Sequence, residues 1–254
     1  MAERLWHLKH CGLFERLNTV ELAELEARAR AKVFPPRTFV YSPRDAADSV
    51  LLLADGRARL VSLNDDGKQT ILAFLEPGDL FGELAVAGVG SREEYAETLA
   101  ASTVVEIPRE ALESLMSRHA PLSLAITKLI GLRRRRIERR LQHLLFRSSR
   151  DRLVHLLLEL AGDYGQASPD GTRIGLKVSH QDLADVIGTT RESVTLRLGE
   201  LQREGLVKVV RRTIVLTDRA RLADSIGSAA LPPSADNGRA ASVSKLTNFP
   251  RPNR

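Results

Sequence analysis

The segment 179–217, SHQDLADVIGTTRESVTLRLGELQREGLVKVVRRTIVLT, decides the fold of its part of the chain because it contains the pattern of two short helices. Ser179 followed three residues later by an aspartate resembles a capping box, with Asp in place of the usual Glu, so the first helix is predicted to begin there. Gly188 is expected to end this helix, and a second helix is predicted to begin at Thr189 or Thr190. Two short helices joined by a glycine-containing turn are typical of a helix-turn-helix.

Apolar residues in the two predicted helices recur at the spacing of one helix face, which predicts that they are buried. They are Leu183, Ala184 and Ile187 in the first helix and Val194, Leu198 and Leu201 in the second. The segment 206–218, LVKVVRRTIVLTD, predicts two short strands around Arg211 and Arg212, which would form a wing. Upstream, the spacing over Arg150–Ala161 predicts another amphipathic helix, followed by a polar loop and the short apolar segment GTRIGLKV.

A recognition helix places its N-terminal residues against base edges, so Thr190, Arg191, Glu192 and Thr195 are the predicted base readers. Arg191 suits guanine O6 and N7, Glu192 suits the amino group of cytosine, and Thr195 suits a thymine methyl group or a phosphate. Two alternatives stay open. Glu192 could be the acidic member of a capping box with Thr189, and Arg191 could be a solvated surface charge.

Other residues of this segment are predicted to contact the phosphate backbone of double-stranded DNA. They are Arg197 and Arg203 on the second helix, Arg211 and Arg212 in the wing, and Ser179, His180 and Gln181 at the start of the first helix. The N-terminus of a helix presents N–H groups that bind phosphate, although local capping would also explain Ser179. The net charge of +6 and the pI near 9.8 fit a polyanionic partner, but a merely basic soluble protein would have the same totals.

The chain between residues 33 and 107 consists of short apolar runs, of which VLLLADGRARLVSL at 50–63 is one. Gly56, Gly67 and Gly78 separate these runs at an even interval of eleven residues, and turn-forming residues precede each glycine. Short strands with regular turns predict a β-roll, or jelly roll.

Helical spacing is predicted on both sides of this roll. A short helical lead-in runs from about Glu3 to Ala31, Pro108 opens a helix after the roll, and a longer helix is predicted from Pro121 to about Phe146. One set of residues in the longer helix follows alternating steps of four and three, which is the seam of a coiled coil. The set is Ile130, Arg134, Ile137, Leu141 and Leu144. We predict that two copies of the chain pair along this seam, with packing against the chain's own core as the alternative.

Arg134 is the polar member of the seam, and a dimer would bring two copies of its charge together. Glu138, one helical turn further on, is the available partner for this charge. In the alternative interpretation, Arg134 turns inward towards an anionic effector in the β-roll.

The composition excludes several classes of protein. Cys11 is the only cysteine, so an internal disulfide, an iron–sulfur cluster and a metal site built from several thiolates are not expected. No nucleophile–base pair, metal-ligand spacing or phosphate loop is found, so an enzyme is not expected. A signal peptide and an apolar segment of membrane length are also missing, which predicts a cytoplasmic protein without a membrane partner. The segment after about Ser225 is rich in small and polar residues and is predicted to be disordered.

Together these motifs resemble the Crp/Fnr family, named after the cyclic AMP receptor protein and the fumarate and nitrate reductase regulator, over about residues 10–220. GTTRESV at 188–194 is similar to the family's recognition-helix start. The resemblance implies a homodimer that reads a palindrome through Arg191 and Glu192, with RNA polymerase as a partner. The family often has a second arginine where Leu196 stands, which predicts a different half-site.

PGDLFGEL is similar to the family's turn that meets a nucleotide ribose, which makes Gly82, Glu83 and Leu84 candidate effector-binding residues. Arg92 matches the arginine that binds the cyclic phosphate in cyclic AMP binders. Glu93 stands where those proteins have a serine or threonine, followed by a second glutamate, and its charge would repel the phosphate.

On the long helix, Ile137 and Glu138 align by ungapped count with the pair that contacts adenine in cyclic AMP binders. We therefore expect cyclic AMP not to be the effector, and the effector stays unidentified. The family's haem sensors need an axial ligand pair that this sequence does not offer in the expected place, and His119 and His143 are interpreted as surface residues. Cys11 is interpreted as a structural cysteine, with a thiol sensor as the alternative.

The predicted fold class is α+β, with a cyclic-nucleotide-binding-like β-roll, a long dimerisation helix and a C-terminal winged helix-turn-helix. The predicted boundaries are 1–118 for the roll and its lead-in, 119–147 for the dimerisation helix, 148–224 for the DNA-binding domain and 225–254 for the tail. The predicted function is a sequence-specific transcription regulator with effector-controlled or constitutive activity. A cyclic-nucleotide-binding module without a DNA function is the alternative. Activation would act through the dimerisation helix by changing the spacing between the two recognition helices.

Overall fold

The computed structural model describes Phe14, residues 17–210 and residues 213–227. It contains two compact units. The first comprises the described residues up to Ser62 together with Ala73–Leu132, and the second comprises Leu63–Leu72 together with the described residues from Arg133 onward. Cys11, most of the lead-in before residue 17 and the tail after residue 227 lie outside the described residues.

Helix α1 (Thr19–Arg28) is the described part of the predicted lead-in. Asn18 caps it, because its side-chain oxygen accepts a hydrogen bond from the backbone N–H of Glu21 at 2.9 Å. The Glu21 carboxylate in turn accepts from the backbone N–H of Asn18, which completes a capping box. The prediction extended this helix to Ala31. It ends at residue 28 because Ala29 is extended, and the first strand follows directly.

Eight strands form the roll that the turn pattern predicts. They are β1 (Arg30–Phe34), β2 (Phe39–Tyr41), β3 (Ser49–Asp55), β4 (Ala58–Leu63), β5 (Gln69–Leu75), β6 (Leu80–Phe81), β7 (Tyr95–Thr98) and β8 (Ser102–Pro108). Two four-stranded sheets have the orders β1-β8-β3-β6 and β2-β7-β4-β5, which confirms the jelly roll. Gly56 makes the turn between β3 and β4 at a φ of 91°, where an added Cβ would lie 2.3 Å from the Oγ of Ser102. Only glycine fits there.

The core of the first unit joins α1, β3 and β8 to two following helices, α2 (Arg109–Arg118) and α3 (Ala120–Phe146). Helix α2 begins directly after Pro108, as predicted, and α3 begins at Ala120, one residue before the predicted Pro121. Fully or nearly fully buried members of this core include Leu25, Leu52, Val105, Ile107, Leu112, Leu122 and Ile126. The first half of α3 is therefore packed into the unit that carries the roll.

The predicted seam along α3 has two different surroundings. Ile130 is partly buried and packs against the chain's own core, as the alternative interpretation holds. Ile137, Leu141 and Leu144 are instead 51%, 54% and 43% exposed. Arg134 is also exposed, and its Nε donates to the Glu138 carboxylate at 2.7 Å, which raises the pKa of Arg134. The predicted partner of Arg134 is therefore the one observed.

The second unit continues with helices and a small sheet. Its elements after α3 are α4 (Ser149–Tyr164), β9 (Gly165–Ser168), β10 (Gly171–Ile174), α5 (His180–Ile187), α6 (Arg191–Arg203), β11 (Val207–Val210), β12 (Thr213–Leu216) and α7 (Arg219–Asp224). The four strands have the order β11-β12-β10-β9. The sequence predicts only a polar loop where β9 lies, because GQAS has neither the composition nor the alternation of a strand. Backbone pairing with β10 makes it one.

The helix-turn-helix is confirmed as α5 and α6. The predicted capping box of Ser179 and Asp182 begins α5, and Gly188 ends it at a φ of 63°. All six apolar residues that were predicted to be buried in these helices are less than about a tenth exposed. The wing strands β11 and β12 are also present, whereas Arg211 and Arg212 between them lie outside the described residues. Among the described helices, none is both long and apolar enough to cross a membrane.

Candidate nucleic-acid interface and effector pocket

Thr190 is the N-cap of α6 and fixes which residues occupy its first turn. The Thr190 hydroxyl accepts a hydrogen bond from the backbone N–H of Ser193 at 3.2 Å. Because Ser193 holds the third helical position, Glu192 is not the acidic member of a capping box with Thr189. Arg191 and Glu192 are therefore the first two residues of the helix, and both are exposed.

One face of α6 is buried and the other is open. Val194, Leu198 and Leu201 are at most 1% exposed and hold the helix onto its unit. The open side carries four exposed residues in the first two turns, namely Arg191, Glu192, Thr195 and Leu196. Three of the four predicted base readers thus lie together on this side, and Thr190 caps the same end.

His180 links the start of α5 to this open face. Its Nδ1 lies 2.8 Å from the Oγ1 of Thr195, and that Oγ1 donates to the backbone carbonyl of Arg191 at 3.0 Å. A hydroxyl has one proton, so Thr195 must accept from an Nδ1–H of His180. The Thr195 hydroxyl is thus engaged in two exposed hydrogen bonds, and its methyl group is the part of the side chain without such a bond.

The remaining residues at the start of α5 are also engaged locally. The Ser179 hydroxyl lies 3.0 Å from the backbone N–H of Asp182, from which it accepts, so capping explains this residue. The Gln181 amide donates to the Asp185 carboxylate at 2.7 Å. A contact from this helix start to a phosphate would therefore come mainly from backbone N–H groups and from the outer face of His180.

Arg197 does not join the open face of α6. It is half-buried, its Nη1 donates to the Glu200 carboxylate at 2.8 Å, and its Nε lies 3.4 Å from the Oγ of Ser149 on α4. Arg203, in the last turn, is exposed. Arg197 therefore lies between α4 and α6, and of these two arginines Arg203 is the exposed one.

In the first unit, Arg92 is buried and is bound by the protein itself. Its Nη1 donates to the carbonyl of Gly82 at 3.0 Å, and its Nη2 donates to the carbonyl of Ser49 at 2.5 Å and to the Ser49 hydroxyl at 3.2 Å. Its guanidinium carbon lies 4.7 Å from the ring centre of Tyr41, a cation–π distance. The structure thus brings together the predicted Gly82 and Arg92, beside a buried Glu83.

Tyr41 and Glu94 complete the surroundings of Arg92. The Tyr41 hydroxyl donates to the Glu94 carboxylate at 2.6 Å. Burial and the charge of Glu94 together raise the pKa of Tyr41. Sequence reasoning missed Tyr41 and Ser49, because they lie on other strands and reach Arg92 only through the fold. Glu93, in contrast, is exposed, and Leu84 is half-buried.

A stacked histidine pair lies in the second unit, where sequence reasoning expected a surface residue at His143. The rings of His143 on α3 and His155 on α4 have centroids 4.1 Å apart and planes 19° apart. Burial is the largest cause that lowers both pKa values, that of His155 to about 4, and the charge of Arg147 lowers both further. A cavity beside the pair is lined by Leu144, Leu156, Val186, Ile187, Arg140, Arg152 and Glu159.

Two family models match the chain. Residues 31–119 match the cyclic nucleotide-binding domain, and residues 151–225 match the Crp-like helix-turn-helix domain. The chain is 32% identical over 205 residues to the global nitrogen regulator of Synechocystis sp. This match covers 77% of this chain and 91% of that relative. It is 24% identical over 216 residues to the CRP-like cAMP-activated global transcriptional regulator of Mycobacterium tuberculosis. This match covers 85% of this chain and 96% of that relative.

The solved structures give the same result. The c-di-GMP-responsive global regulator CLP of Xanthomonas campestris superposes with a TM-score of 0.68 at 28% sequence identity, covering 79% of this chain and 100% of that chain. One similar regulator is thus described as activated by cyclic AMP and another as responsive to cyclic di-GMP. Similarity alone therefore does not fix an effector for this chain.

Proposed function

The chain belongs to the Crp/Fnr family of transcription regulators, and from this premise we propose that it reads a palindromic DNA site as a homodimer, with Arg191 and Glu192 as base readers. Family members are dimeric and carry the Crp-like helix-turn-helix. In this dimer the exposed part of the seam, Ile137 to Leu144, pairs with its copy. Arg134 belongs to that seam with Glu138 as its partner, rather than to an effector site.

The position of Arg191 and Glu192 is the observation that supports this function. Both side chains are exposed in the first turn of a helix whose opposite face is buried, and Thr190 caps that turn. An arginine here binds guanine O6 and N7, and a glutamate accepts from cytosine N4, at roughly 1–3 kcal/mol of discrimination for each good pair. Two-fold symmetry then requires two half-sites about one helical turn apart.

Binding to a selected DNA site tests this proposal. A random duplex library is enriched with the full chain, and the affinity for the selected site is measured by fluorescence anisotropy at two salt concentrations. Arg191→Ala is expected to weaken binding about tenfold or more and to relax the preference at one guanine of each half-site. Arg28→Ala removes the same charge from an exposed position on α1 and should leave the preference unchanged. Enrichment of no palindrome would refute the proposal.

We assign phosphate contacts to a second group of residues around the recognition helix. His180 and the backbone N–H of Gln181 lie at the start of α5, and Arg203 is exposed at the end of α6. Ser179 stays a cap, because its N–H and its hydroxyl are both bonded to Asp182. Arg197 supports the helix through Glu200 rather than touching the duplex. Arg211 and Arg212 stay predicted wing contacts.

We also propose that cyclic AMP is not the effector. The guanidinium that would bind its phosphate already donates three hydrogen bonds, to Gly82 and Ser49, and stacks on Tyr41. A phosphate would have to displace these bonds and would then lie near the charge of Glu94. Glu83 and Gly82 could still meet the ribose of another nucleotide, so the effector itself stays open.

A thermal-shift titration tests this second proposal. Cyclic AMP at millimolar concentration is expected to leave the melting temperature of the wild-type chain unchanged, because a ligand stabilises only the state it binds. Glu93→Ser restores the hydroxyl residue that follows the arginine in cyclic AMP binders and is expected to bind cyclic AMP more tightly than the wild type. A shift of several degrees in the wild type would refute the proposal.

Partners and location follow from the regulatory role. We propose RNA polymerase as the protein partner and the cytoplasm as the site of action, because a transcription regulator must meet both polymerase and DNA. The family consists of transcription regulators, which supports a role without catalysis. Within the described residues, no group of three or more His, Cys, Asp or Glu side chains is arranged to hold a metal ion.

A further inference from the structure

The second turn of the open face of α6 is apolar, in contrast to its first turn. Leu196 is 56% exposed. The Thr195 hydroxyl is engaged by His180 and by the carbonyl of Arg191, which leaves its methyl group as the part of the side chain without a hydrogen bond. Gly199 follows one turn later and has no side chain. Helical spacing places these three residues side by side, next to the charged pair Arg191 and Glu192.

The fold itself accounts for neither Leu196 nor Gly199. Leu196 is not part of the core, and glycine inside a helix is less favourable than alanine. A Cβ added at Gly199 would have no protein atom within 4 Å, so packing does not demand a glycine there. Both residues are instead suited to a surface that another molecule covers closely.

Thymine is the base that offers an apolar group in the major groove, its C5-methyl. Leu196 cannot donate or accept a hydrogen bond and so can read only such a group. It lies five residues after Arg191, which is about 7.5 Å along the helix axis. With base pairs about 3.4 Å apart, this distance spans at most roughly two base pairs, because a helix in the major groove is inclined to the DNA axis.

We propose that Leu196, with the methyl group of Thr195, contacts the C5-methyl of a thymine in each half-site, within about two base pairs of the guanine read by Arg191. The bare backbone at Gly199 lets the duplex come close enough for this contact. The inference deepens the proposed function and rests on it. Where an arginine at position 196 would grip a guanine, this chain selects a thymine.

Deoxyuridine substitution tests the contact directly, because uracil keeps the pairing and the O4 acceptor of thymine and lacks only the methyl group. Each thymine of the selected site is replaced in turn, symmetrically in both half-sites, and the affinity of the full chain is measured. One buried methyl group corresponds to about 0.8 kcal/mol, or roughly fourfold in affinity for each half-site. One symmetric position, within about two base pairs of the guanine, is expected to show this loss.

Variants assign the loss to Leu196. Leu196→Ala is expected to bind the thymine site more weakly and to respond less to deoxyuridine at that position. Leu196→Arg is expected to prefer guanine there. Leu124→Ala, a control at an exposed leucine of α3, should retain the full response. Gly199→Ala is expected to weaken DNA binding without lowering the melting temperature.

The outcomes separate this inference from the proposed function. If the wild type selects no palindrome, both are wrong. If it selects one and Arg191→Ala loses the guanine preference, the proposed function holds. If Leu196→Ala then lost as much affinity on deoxyuridine substitution as the wild type does, the thymine contact would be wrong and the proposed function would still hold. The exposed leucine would in that case contact a protein instead of a base. If Gly199→Ala bound DNA with the wild-type affinity, the proposed close approach of the duplex to the backbone at Gly199 would be wrong.

Discussion

His180 and Thr195 form a hydrogen bond, 2.8 Å from Nδ1 to Oγ1, that joins the first helix of the helix-turn-helix to the exposed face of the second. Thr195 gives its own proton to the carbonyl of Arg191, one turn back along α6. The three residues therefore form a chain of bonds from the start of α5 to the first turn of the recognition helix. This chain holds the backbone that carries the proposed guanine reader.

We expect His180→Ala and Thr195→Val to weaken DNA binding through this shared bond. Each variant removes one partner, and Thr195→Val keeps the shape and the methyl group of the side chain and loses only the hydroxyl. The net contribution of a hydrogen bond to stability is about 0.5–1.5 kcal/mol. Because the pair is exposed, we expect a coupling energy between the two substitutions at the lower end of that range. A double-mutant cycle on DNA affinity measures it.

Gln181→Ala provides the control for this cycle, because the Gln181 amide bonds to Asp185 within the same helix. Its effect should add to that of Thr195→Val. Full additivity between His180→Ala and Thr195→Val would show that the bond does not contribute to DNA binding.

We predict that glycine is required at position 82 for two reasons. The backbone there is left-handed, and a side chain would collide with Arg92. The φ of Gly82 is 66°, and a Cβ there would lie 2.4 Å from the Nη1 of Arg92. Gly88, at a φ of 86°, offers a matched control, because a Cβ added there would have no atom within 4 Å. Both Gly→Ala variants carry the backbone penalty of about 1–2 kcal/mol for a left-handed residue.

Only Gly82→Ala should displace Arg92 in addition, so its melting temperature is expected to fall further than that of Gly88→Ala. Thermal unfolding followed by circular dichroism measures both. Equal melting temperatures would mean that Arg92 moves aside without loss, and the engaged guanidinium would then be no obstacle to a phosphate.

The helix-turn-helix could be predicted residue by residue because its signals are local. The capping box at Ser179, the stop at Gly188 and the buried positions of both helices depend on spacing within a few residues. The jelly roll was predictable at the level of its turns, since Gly56 and its two counterparts recur evenly. The sequence leaves Thr189 and Thr190 as alternative starts of α6. The hydrogen bond that the Thr190 hydroxyl accepts from the backbone N–H of Ser193 makes Thr190 the N-cap.

Other features could not be predicted because they depend on residues far apart in the chain. Ser49 and Tyr41 meet Arg92 only after β2 and β3 are placed in the roll. Strand β9 has no strand pattern of its own and exists through its partner β10. His143 reads as a surface residue in an amphipathic helix, and its stacking on His155 depends on how the end of α3 packs on α4.

The stacked histidines predict that stability falls with acid in a defined range. An unfolded histidine has a pKa of about 6.5, whereas that of folded His155 is lowered to about 4. Between these values the unfolded chain binds more protons than the folded chain, so the free energy of unfolding decreases as the pH falls from about 6.5 towards 4. His143, lowered in the same direction, adds to the loss.

Urea unfolding at pH 7 and at pH 5 measures this loss, and His155→Gln is expected to lose less stability than the wild type over the same interval. The charge of Arg147 opposes protonation of His155, and the charge of Asp151 favours it. Both residues therefore help to set the pH range in which stability is lost. His143→Gln removes one opposing charge and should raise the pKa of His155 in an NMR titration. A folded His155 that titrates near 6.5 would contradict the prediction.

The exposed part of the α3 seam predicts that Leu141→Glu converts the dimer to a monomer. Leu141 is 54% exposed in the single chain, and a dimer would bury it against its copy, where two unpaired carboxylates would lose their hydration. Sedimentation velocity is expected to show half the wild-type mass. DNA affinity should fall steeply, because one half-site contact no longer holds the second in place.

Leu124→Glu is the matched control, since Leu124 is 56% exposed on the same helix and lies about 100° around it from Leu141 at about 3.6 residues per turn. It should leave the mass and the DNA affinity unchanged. If Leu141→Glu also remained dimeric, the seam would not be the interface. The exposed residues Ile137, Leu141 and Leu144 would then face solvent, and the two recognition helices would have to be spaced by another surface.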